Sequence, residues 1–112
     1  MKMNVSEKYG SVIIELKGNV MGGPSTEDFS DLLHSLVDDG KTNVIVDLGK
    51  VKFMNSSGLG MLIGGLTTLK KAGGDLRICR ADKKIESLLV VTKLITVFNH
   101  YESLEKAIES YD

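Results

Sequence analysis

The sequence predicts an α/β fold: a mainly parallel sheet with an antiparallel edge strand and about four packed helices. Short apolar segments typical of strands alternate along the chain with segments of helical periodicity, and this alternation produces right-handed crossovers between parallel strands. The chain has 112 residues, of which 42% are apolar and 26% are charged, as is typical of a globular domain of this size. We therefore expect a single domain over residues 1–112.

The chain is predicted to begin with a hairpin. Asn4–Lys8 and Ser11–Lys17 alternate weakly between apolar and polar residues and flank Tyr9-Gly10, a pattern typical of two antiparallel strands joined by a tight turn. Ile13 makes the second face of the later strand partly apolar. The glycine-rich stretch Gly18–Pro24 is predicted to be a loop.

A first helix follows that loop. Ser25 or Thr26 is expected to cap it, and Gly40 is expected to end it. Apolar residues recur at the i, i+3, i+4, i+7 and i+8 positions that form one face of a helix. These residues are Phe29, Leu32, Leu33, Leu36 and Val37.

The centre of the sequence is a strand, a turn and a second helix. Val44–Leu48 is a short run rich in β-branched residues, as expected of a buried strand. Gly49–Asn55 is predicted to be a turn, and residues 57–72 a helix that ends at Gly73-Gly74. Because the carboxyl ends of parallel strands meet at one edge of a sheet, this turn and the loop Gly18–Pro24 are expected to lie together.

The last third alternates in the same way. Leu76, Ile78 and Cys79 are assigned to a further strand, Asp82 to the cap of a short helix, and Leu94–Phe98 to a final strand. The inward face of the closing helix is predicted to contain Leu104, Ala107, Ile108 and Tyr111.

Composition excludes several classes of protein. The net charge of −1 provides no broad basic field for nucleic acid or an anionic membrane, so neither is an expected partner. No apolar run approaches the length of a membrane span or a signal segment. Cys79 is the only cysteine and is interpreted as a small buried filler in a reducing compartment. We expect a cytoplasmic location.

Patterns typical of enzymes are weak in this sequence. His34 and His100 have no Cys, Asp or Glu beside them at metal-ligand spacing, and Ser56 has no obvious His partner for a triad. The glycine-rich stretches match neither nucleotide-binding motif, and Asp47 is interpreted as tying down the loop after its strand. We expect no catalysis, no metal and no cofactor, although a small nucleotide- or ligand-binding module remains an alternative.

Two adjacent hydroxyls stand where the second helix begins. A helix N-terminus has free N–H groups and a partial positive charge, so it accepts either a capping oxygen or a phosphate. Ser57 or Asn55 is expected to be the cap, which leaves Ser56 as the exposed hydroxyl available to a kinase. A phosphate there adds about −1.5 to −2 charges, which the helix end can hold without unfolding.

The same helix contains four glycines, Gly58, Gly60, Gly64 and Gly65, each costing up to about 1 kcal/mol relative to alanine in a helix interior. Either close packing within the domain or a flat surface for another protein explains them. Opposite the apolar side of this helix lies a strip of small residues, Gly60, Gly64, Thr67 and Thr68. Met61 borders this strip and is expected to be an exposed anchor for a partner.

These residues resemble the STAS domains of bacterial anti-sigma factor antagonists. The resemblance rests on Val44–Leu48, on Val51–Gly60 with the sequence VKFMNSSGLG, and on Gly73–Leu76. An opening strand leading into Gly18 and the order of strands and helices extend it over essentially the whole chain. It implies a STAS-like fold.

The resemblance also implies a function. Unphosphorylated members bind an anti-sigma factor that is also a serine kinase and so free a sigma factor. The kinase phosphorylates the first serine of the motif, here Ser56, and a serine phosphatase reverses this. The loop Asn19–Pro24 is expected to contribute to the kinase-facing surface. The expected partner-binding residues are Gly22, Gly23, Asn55, Ser56, Ser57, Met61 and Gly64.

One position departs from the family pattern, because Asn55 stands where the family usually has Asp. Asparagine keeps the capping oxygen but removes one negative charge beside the acceptor serine. The alternative implied by this departure is a constitutive STAS scaffold in a signalling complex, which phosphorylation does not regulate.

Overall fold

The computed structural model describes all 112 residues, Met1–Asp112, and contains five strands and four α-helices. The strands are β1 Lys2–Lys8, β2 Ser11–Val20, β3 Asn43–Met54, β4 Asp75–Cys79 and β5 His100–Tyr101. The helices are α1 Pro24–Asp38, α2 Ser56–Lys71, α3 Lys83–Val91 and α4 Leu104–Glu109, with a 3-10 turn at Leu94–Thr96.

The five strands form one sheet in the order β1-β2-β3-β4-β5. β1 is antiparallel to β2, whereas every other neighbouring pair is parallel. This confirms the predicted mainly parallel sheet with an antiparallel edge strand. Tyr9 (φ 52°) and Gly10 (φ 79°) join the first two strands, as a two-residue hairpin turn with both central residues in the left-handed region requires.

Two predicted boundaries are wrong at the site edge of the sheet. β3 continues to Met54, so Gly49–Asn55 is mostly strand rather than turn, and β2 continues to Val20. Both extensions have one cause, because the two strands remain paired past two irregularities in register until Val20 lies opposite Met54. The loop after β2 is therefore reduced to residues 21–23.

The start of the first helix also differs from the prediction. α1 begins at Pro24, and its N-cap is Gly23, which forms no side-chain capping bond; neither Ser25 nor Thr26 caps it. Proline is favoured at the first helical position because its fixed φ suits the helix and its missing N–H would be unpaired there. At the other end, the predicted stop at Gly40 (φ 74°) is confirmed.

The last predicted strand is wrong. Leu94–Thr96 forms a 3-10 turn after Lys93, whose φ of 63° is left-handed, and the strand follows at His100–Tyr101. Phe98 is buried in the main core from this turn. A short apolar run has no periodicity that separates a strand from other buried backbone, which accounts for the error.

The sheet has a core on each face. The larger core lies between the sheet and helices α1, α2 and α3, and the smaller one lies beneath α4. Ile13 and Cys79 belong to the smaller core, which confirms that the second face of β2 is partly apolar and that the thiol is a buried filler. Burial raises the pKa of the Cys79 thiol to about 12, with the Asp47 carboxylate as a second cause.

Candidate functional site

The N-terminus of α2 is fixed by Asn55. Its Oδ1 accepts a hydrogen bond from the Gly58 N–H at 2.8 Å, and its backbone is extended with φ −106°. Of the two predicted caps, Asn55 is therefore the residue that caps α2. The Asn55 N–H donates to the Val20 carbonyl at 3.3 Å, and its carbonyl accepts from the Leu59 N–H at 3.0 Å, so this junction is attached to the end of β2.

Ser56 is the first residue of α2, and both Ser56 and Ser57 are exposed. The side-chain bond that caps this turn is made by Asn55 rather than by either serine. The first turn of α2 contains no acidic residue, so no carboxylate there offsets the partial positive charge of the helix end. The structure thus presents an exposed hydroxyl on a well-anchored, electropositive helix terminus.

The loop after β2 lies against this terminus. A Cβ placed on Gly22 would be 3.0 Å from the Cβ of Ser57, and both Gly22 and Gly23 have left-handed φ values of 80° and 67°. Side chains at these positions are strained, and one at Gly22 would also crowd the serine. The loop and the helix mouth therefore form one surface, which confirms that they share an edge of the sheet.

The four glycines of α2 divide into two pairs. A Cβ on Gly58 would be 2.0 Å from the Val20 carbonyl oxygen, and one on Gly65 would be 2.7 Å from Leu33 Cδ1. These two glycines permit close packing within the fold. A Cβ on Gly60 or Gly64 would meet nothing within 4 Å, so the interior does not require glycine at these exposed positions.

Met61 is not exposed as predicted. It retains only 4% of its accessible surface, because α1 packs beside α2 and covers that side of the helix. Met61 instead contributes to a cleft of about 440 Å³ between the two helices. The cleft is lined by Thr26, Phe29, Ser30, Leu33, Ser57, Gly60, Met61, Gly64, Gly65 and Thr68.

Sequence reasoning did not identify the contribution of α1 to this cleft. Thr26 and Ser30 line it from α1 and face Ser57 and Gly64 on α2 across it. Their spacing of four residues, which places both on one side of the helix, was the available signal. It identifies a polar row on α1 but not the helix that row faces.

The Asp47 carboxylate is held by hydrogen bonds within the fold. Its side chain is 3% exposed, and Oδ1 accepts from the Gly49 N–H at 2.9 Å, as the predicted loop-fixing role requires. Both carboxylate oxygens also accept hydrogen bonds from the Arg80 guanidinium, each at 2.8 Å. The carboxylate is thus fully engaged in joining β3 to the end of β4.

The two histidines lie apart from the mouth of α2. His34 is exposed on α1 and its Nδ1 lies 2.8 Å from the Ser30 carbonyl oxygen, while His100 Nδ1 lies 3.9 Å from Glu86. The structure contains no group of three or more His, Cys, Asp or Glu side chains able to hold a metal ion. None of its helices combines the length and the apolar content needed to traverse a bilayer.

Comparison with known proteins identifies the family to which this fold belongs. The sequence model of the STAS domain family matches residues 2–107. The chain is 26% identical to the anti-sigma-B factor antagonist of Staphylococcus aureus, over 94% of this chain and 98% of that protein.

Solved structures share the fold. An anti-sigma factor antagonist from Mycobacterium paratuberculosis superposes with a TM-score of 0.81 at 21% identity, covering 97% of this chain and 92% of that one. The Bacillus cell fate determinant SpoIIAA in its phosphorylated form superposes with a TM-score of 0.76 at 18% identity, covering 99% and 100% of the two chains. The chain belongs to the STAS domain family, and the Staphylococcus aureus relative is an anti-sigma factor antagonist.

Proposed function

We propose that this protein is an anti-sigma factor antagonist controlled by phosphorylation of Ser56. In the proposed cycle, the unphosphorylated chain binds an anti-sigma factor that is also a serine kinase, and a sigma factor is released. Phosphorylation of Ser56 ends this association, and a serine phosphatase restores it. Because sigma factors act at RNA polymerase, the cycle takes place in the cytoplasm.

The observation that carries the proposal is the position of Ser56. Its hydroxyl is exposed at the first position of α2 while Asn55 takes the capping role. The fold therefore does not depend on this hydroxyl, and a phosphate there lies beside N–H groups that have no carbonyl partner within the helix. Among the structural neighbours, SpoIIAA has been solved in both phosphorylated and unphosphorylated forms.

The surface around Ser56 suits a partner that approaches closely. Gly22, Gly23, Gly60 and Gly64 place backbone rather than side chains at this surface, and the fold itself does not need glycine at the last two positions. Met61 lies within the cleft beside them, so we assign it a role in shaping the docking surface rather than as a projecting anchor. A phosphate dianion on Ser56, at the edge of this docking surface, repels a partner suited to a neutral surface.

The first experiment locates the phosphate. The chain, Ser56→Ala and the matched control Ser57→Ala are each incubated with the cognate anti-sigma factor kinase and ATP, and the products are mapped by mass spectrometry. We expect one phosphate on Ser56 in the wild type and in Ser57→Ala, and none in Ser56→Ala. Phosphate on Ser57, or none in the wild type, contradicts the proposed acceptor.

The second experiment tests charge as the cause of release. Ser56→Asp is expected to leave the thermal midpoint almost unchanged and to weaken binding to the kinase, whereas Ser56→Ala retains binding. Titration calorimetry measures both affinities. Equal affinity of Ser56→Asp and wild type would show that repulsion is not the mechanism.

A second candidate function is a constitutive scaffold component of a signalling complex. It is favoured by Asn55, which removes the negative charge that the family usually places beside the acceptor. This alternative predicts a stable complex with the kinase that persists in the presence of ATP. Size-exclusion chromatography of the two proteins with and without ATP distinguishes it from the switch.

A further inference from the structure

A second groove lies on the other side of Asn55, between the end of β3 and α3. It has a volume of about 430 Å³ and is lined by Lys52, Phe53, Met54, Asn55, Lys84, Ile85, Ser87, Leu88 and Val91. It shares none of its residues with the cleft between α1 and α2. The cycle proposed for Ser56 does not require this groove.

The groove exposes large apolar side chains. Phe53 is 51% exposed on β3, and Val91 is 80% exposed in the last turn of α3. An amphipathic surface helix normally places polar residues on its solvent side, and α3 departs from this at its C-terminal end, where Val90 is also 59% exposed. Grouped apolar side chains with a polar border are typical of interaction sites.

One wall of the groove is a stripe of residues along α3. Lys84, Ser87, Leu88 and Val91 have the i, i+3, i+4 and i+7 spacing of a single stripe along α3. This stripe is about 10 Å long, given a rise of 1.5 Å per residue. Such stripes are the ridges against which a second helix packs.

The charge of the border specifies the partner further. Lys52 and Lys84 line the groove, and no Asp or Glu does. Neither lysine takes part in an ion pair of the structure. A partner with acidic residues beside its apolar face would supply the missing counter-charges. An anionic membrane is a poorer match, because two lysines contribute only about 2 kcal/mol to membrane attraction.

We propose that this groove is a docking site for an acidic amphipathic helix of a protein partner. Apolar side chains of that helix lie against Phe53, Leu88 and Val91, and its carboxylates pair with Lys52 and Lys84. Because the groove begins at Asn55, a partner that reaches Ser56 is able to engage both surfaces at once.

The test uses a display library of random 16-residue peptides selected against the intact chain. Affinities of the selected peptides are measured by fluorescence polarisation with wild type, Lys52→Glu/Lys84→Glu, and the control Lys2→Glu/Lys17→Glu. The control makes the same change in net charge on β1 and β2. Both variants alter exposed side chains, and unchanged thermal midpoints verify that they fold.

We expect selected peptides with acidic residues flanking apolar residues at helical spacing. Their dissociation constants should rise at least tenfold in Lys52→Glu/Lys84→Glu and stay within twofold of wild type in the control. Peptides without acidic residues, equal weakening by both variants, or failure to select any binder would overturn the proposal. Two other results would overturn the proposal. One is co-sedimentation of the chain with phosphatidylglycerol vesicles, and the other is concentration-dependent dimerisation that Phe53→Ser abolishes.

Discussion

Gly58 provides a sharp test of how α2 is seated on the sheet. A Cβ at this position would lie 2.0 Å from the Val20 carbonyl oxygen and 2.7 Å from the carbonyl carbon. Both atoms belong to the backbone of β2 where Val20 pairs with Met54 of β3 and its carbonyl accepts a hydrogen bond from the Asn55 N–H, so they cannot yield as a flexible side chain would. In Gly58→Ala, the first turn of α2 must move away from β2.

The size of the effect follows from two opposing contributions. Overpacking typically costs about 1–3 kcal/mol, and the upper part of that range applies because backbone atoms meet the new methyl group. Alanine returns up to about 1 kcal/mol of helix propensity. We therefore expect Gly58→Ala to reduce the free energy of unfolding by about 2 kcal/mol. For a domain of this size that corresponds to a thermal midpoint lower by about 8 °C.

The matched control lies two residues further along the same helix. Gly60→Ala makes the same chemical change where the new Cβ meets nothing within 4 Å, so we expect it to gain up to about 1 kcal/mol of stability. Urea denaturation and thermal melting followed by circular dichroism measure both variants. Equal stability of Gly58→Ala and Gly60→Ala would refute the inference that the mouth of α2 is held in backbone contact with β2.

Three further predictions concern single side chains. Asn55→Ala should lose about 1 kcal/mol of stability in urea denaturation because the Gly58 N–H loses its cap, whereas Asn55→Asp should retain it. Arg80→Ala should lose roughly 1.5–3 kcal/mol in the same assay, since the buried Asp47 carboxylate loses its charged donor; unchanged stability would disprove that this pair matters. Burial raises the pKa of the Cys79 thiol to about 12. The neutral thiol therefore contributes to the free energy of unfolding in full below the unfolded-state pKa of about 8.5, and this contribution is lost as pH rises through about 12. Unfolding free energies measured between pH 8 and 10.5 should therefore fall less steeply for Cys79→Ala than for wild type, by up to about 1.4 kcal/mol per pH unit.

Elements with strong local signals could be predicted from the sequence alone. The apolar periodicity from Phe29 to Val37 predicted α1, and Asp82 was correctly assigned as the cap of α3, accepting from the Ile85 N–H at 2.9 Å. In both cases the determining contacts are separated by a few residues. The hairpin at Tyr9-Gly10 is equally local.

Boundaries set by distant pairing could not be predicted. The extension of β3 to Met54 depends on β2, which lies more than thirty residues earlier and pairs with it as far as Val20. Nothing within Gly49–Asn55 encodes that partner, and its glycine favours a turn when considered alone. Leu94–Phe98 was misassigned because its apolar residues do not form a strand: Phe98 is buried in the core, whereas Ile95 and Val97 are exposed around a 3-10 turn.

In the candidate site, too, features set by neighbouring residues were predictable and features set by distant packing were not. The hydroxyl at Ser56 and the cap at Asn55 follow from local helix chemistry, whereas the environment of Met61 depends on where α1 lies. An angular position on α2 defines a side of the helix but not whether a neighbour covers it. Gly58 and Gly60 lie on nearly opposite sides of α2, but only the tertiary structure shows that Gly58 lies against the Val20 backbone and that Gly60 borders open space.

Under the proposed function, the position of Ser56 explains how its phosphorylation can change binding to the partner without changing the fold. Anions near a helix N-terminus stabilise it by about 0.3–1 kcal/mol, so a phosphate at the first position of α2 carries little or no folding cost. The partner, by contrast, must desolvate that dianion or meet it without a counter-charge. Asn55 increases this difference between the effect of the phosphate on folding and its effect on binding. It caps α2 as a carboxylate would, but it adds no negative charge to the unmodified surface. The whole change of charge at the helix mouth then comes from the phosphate alone.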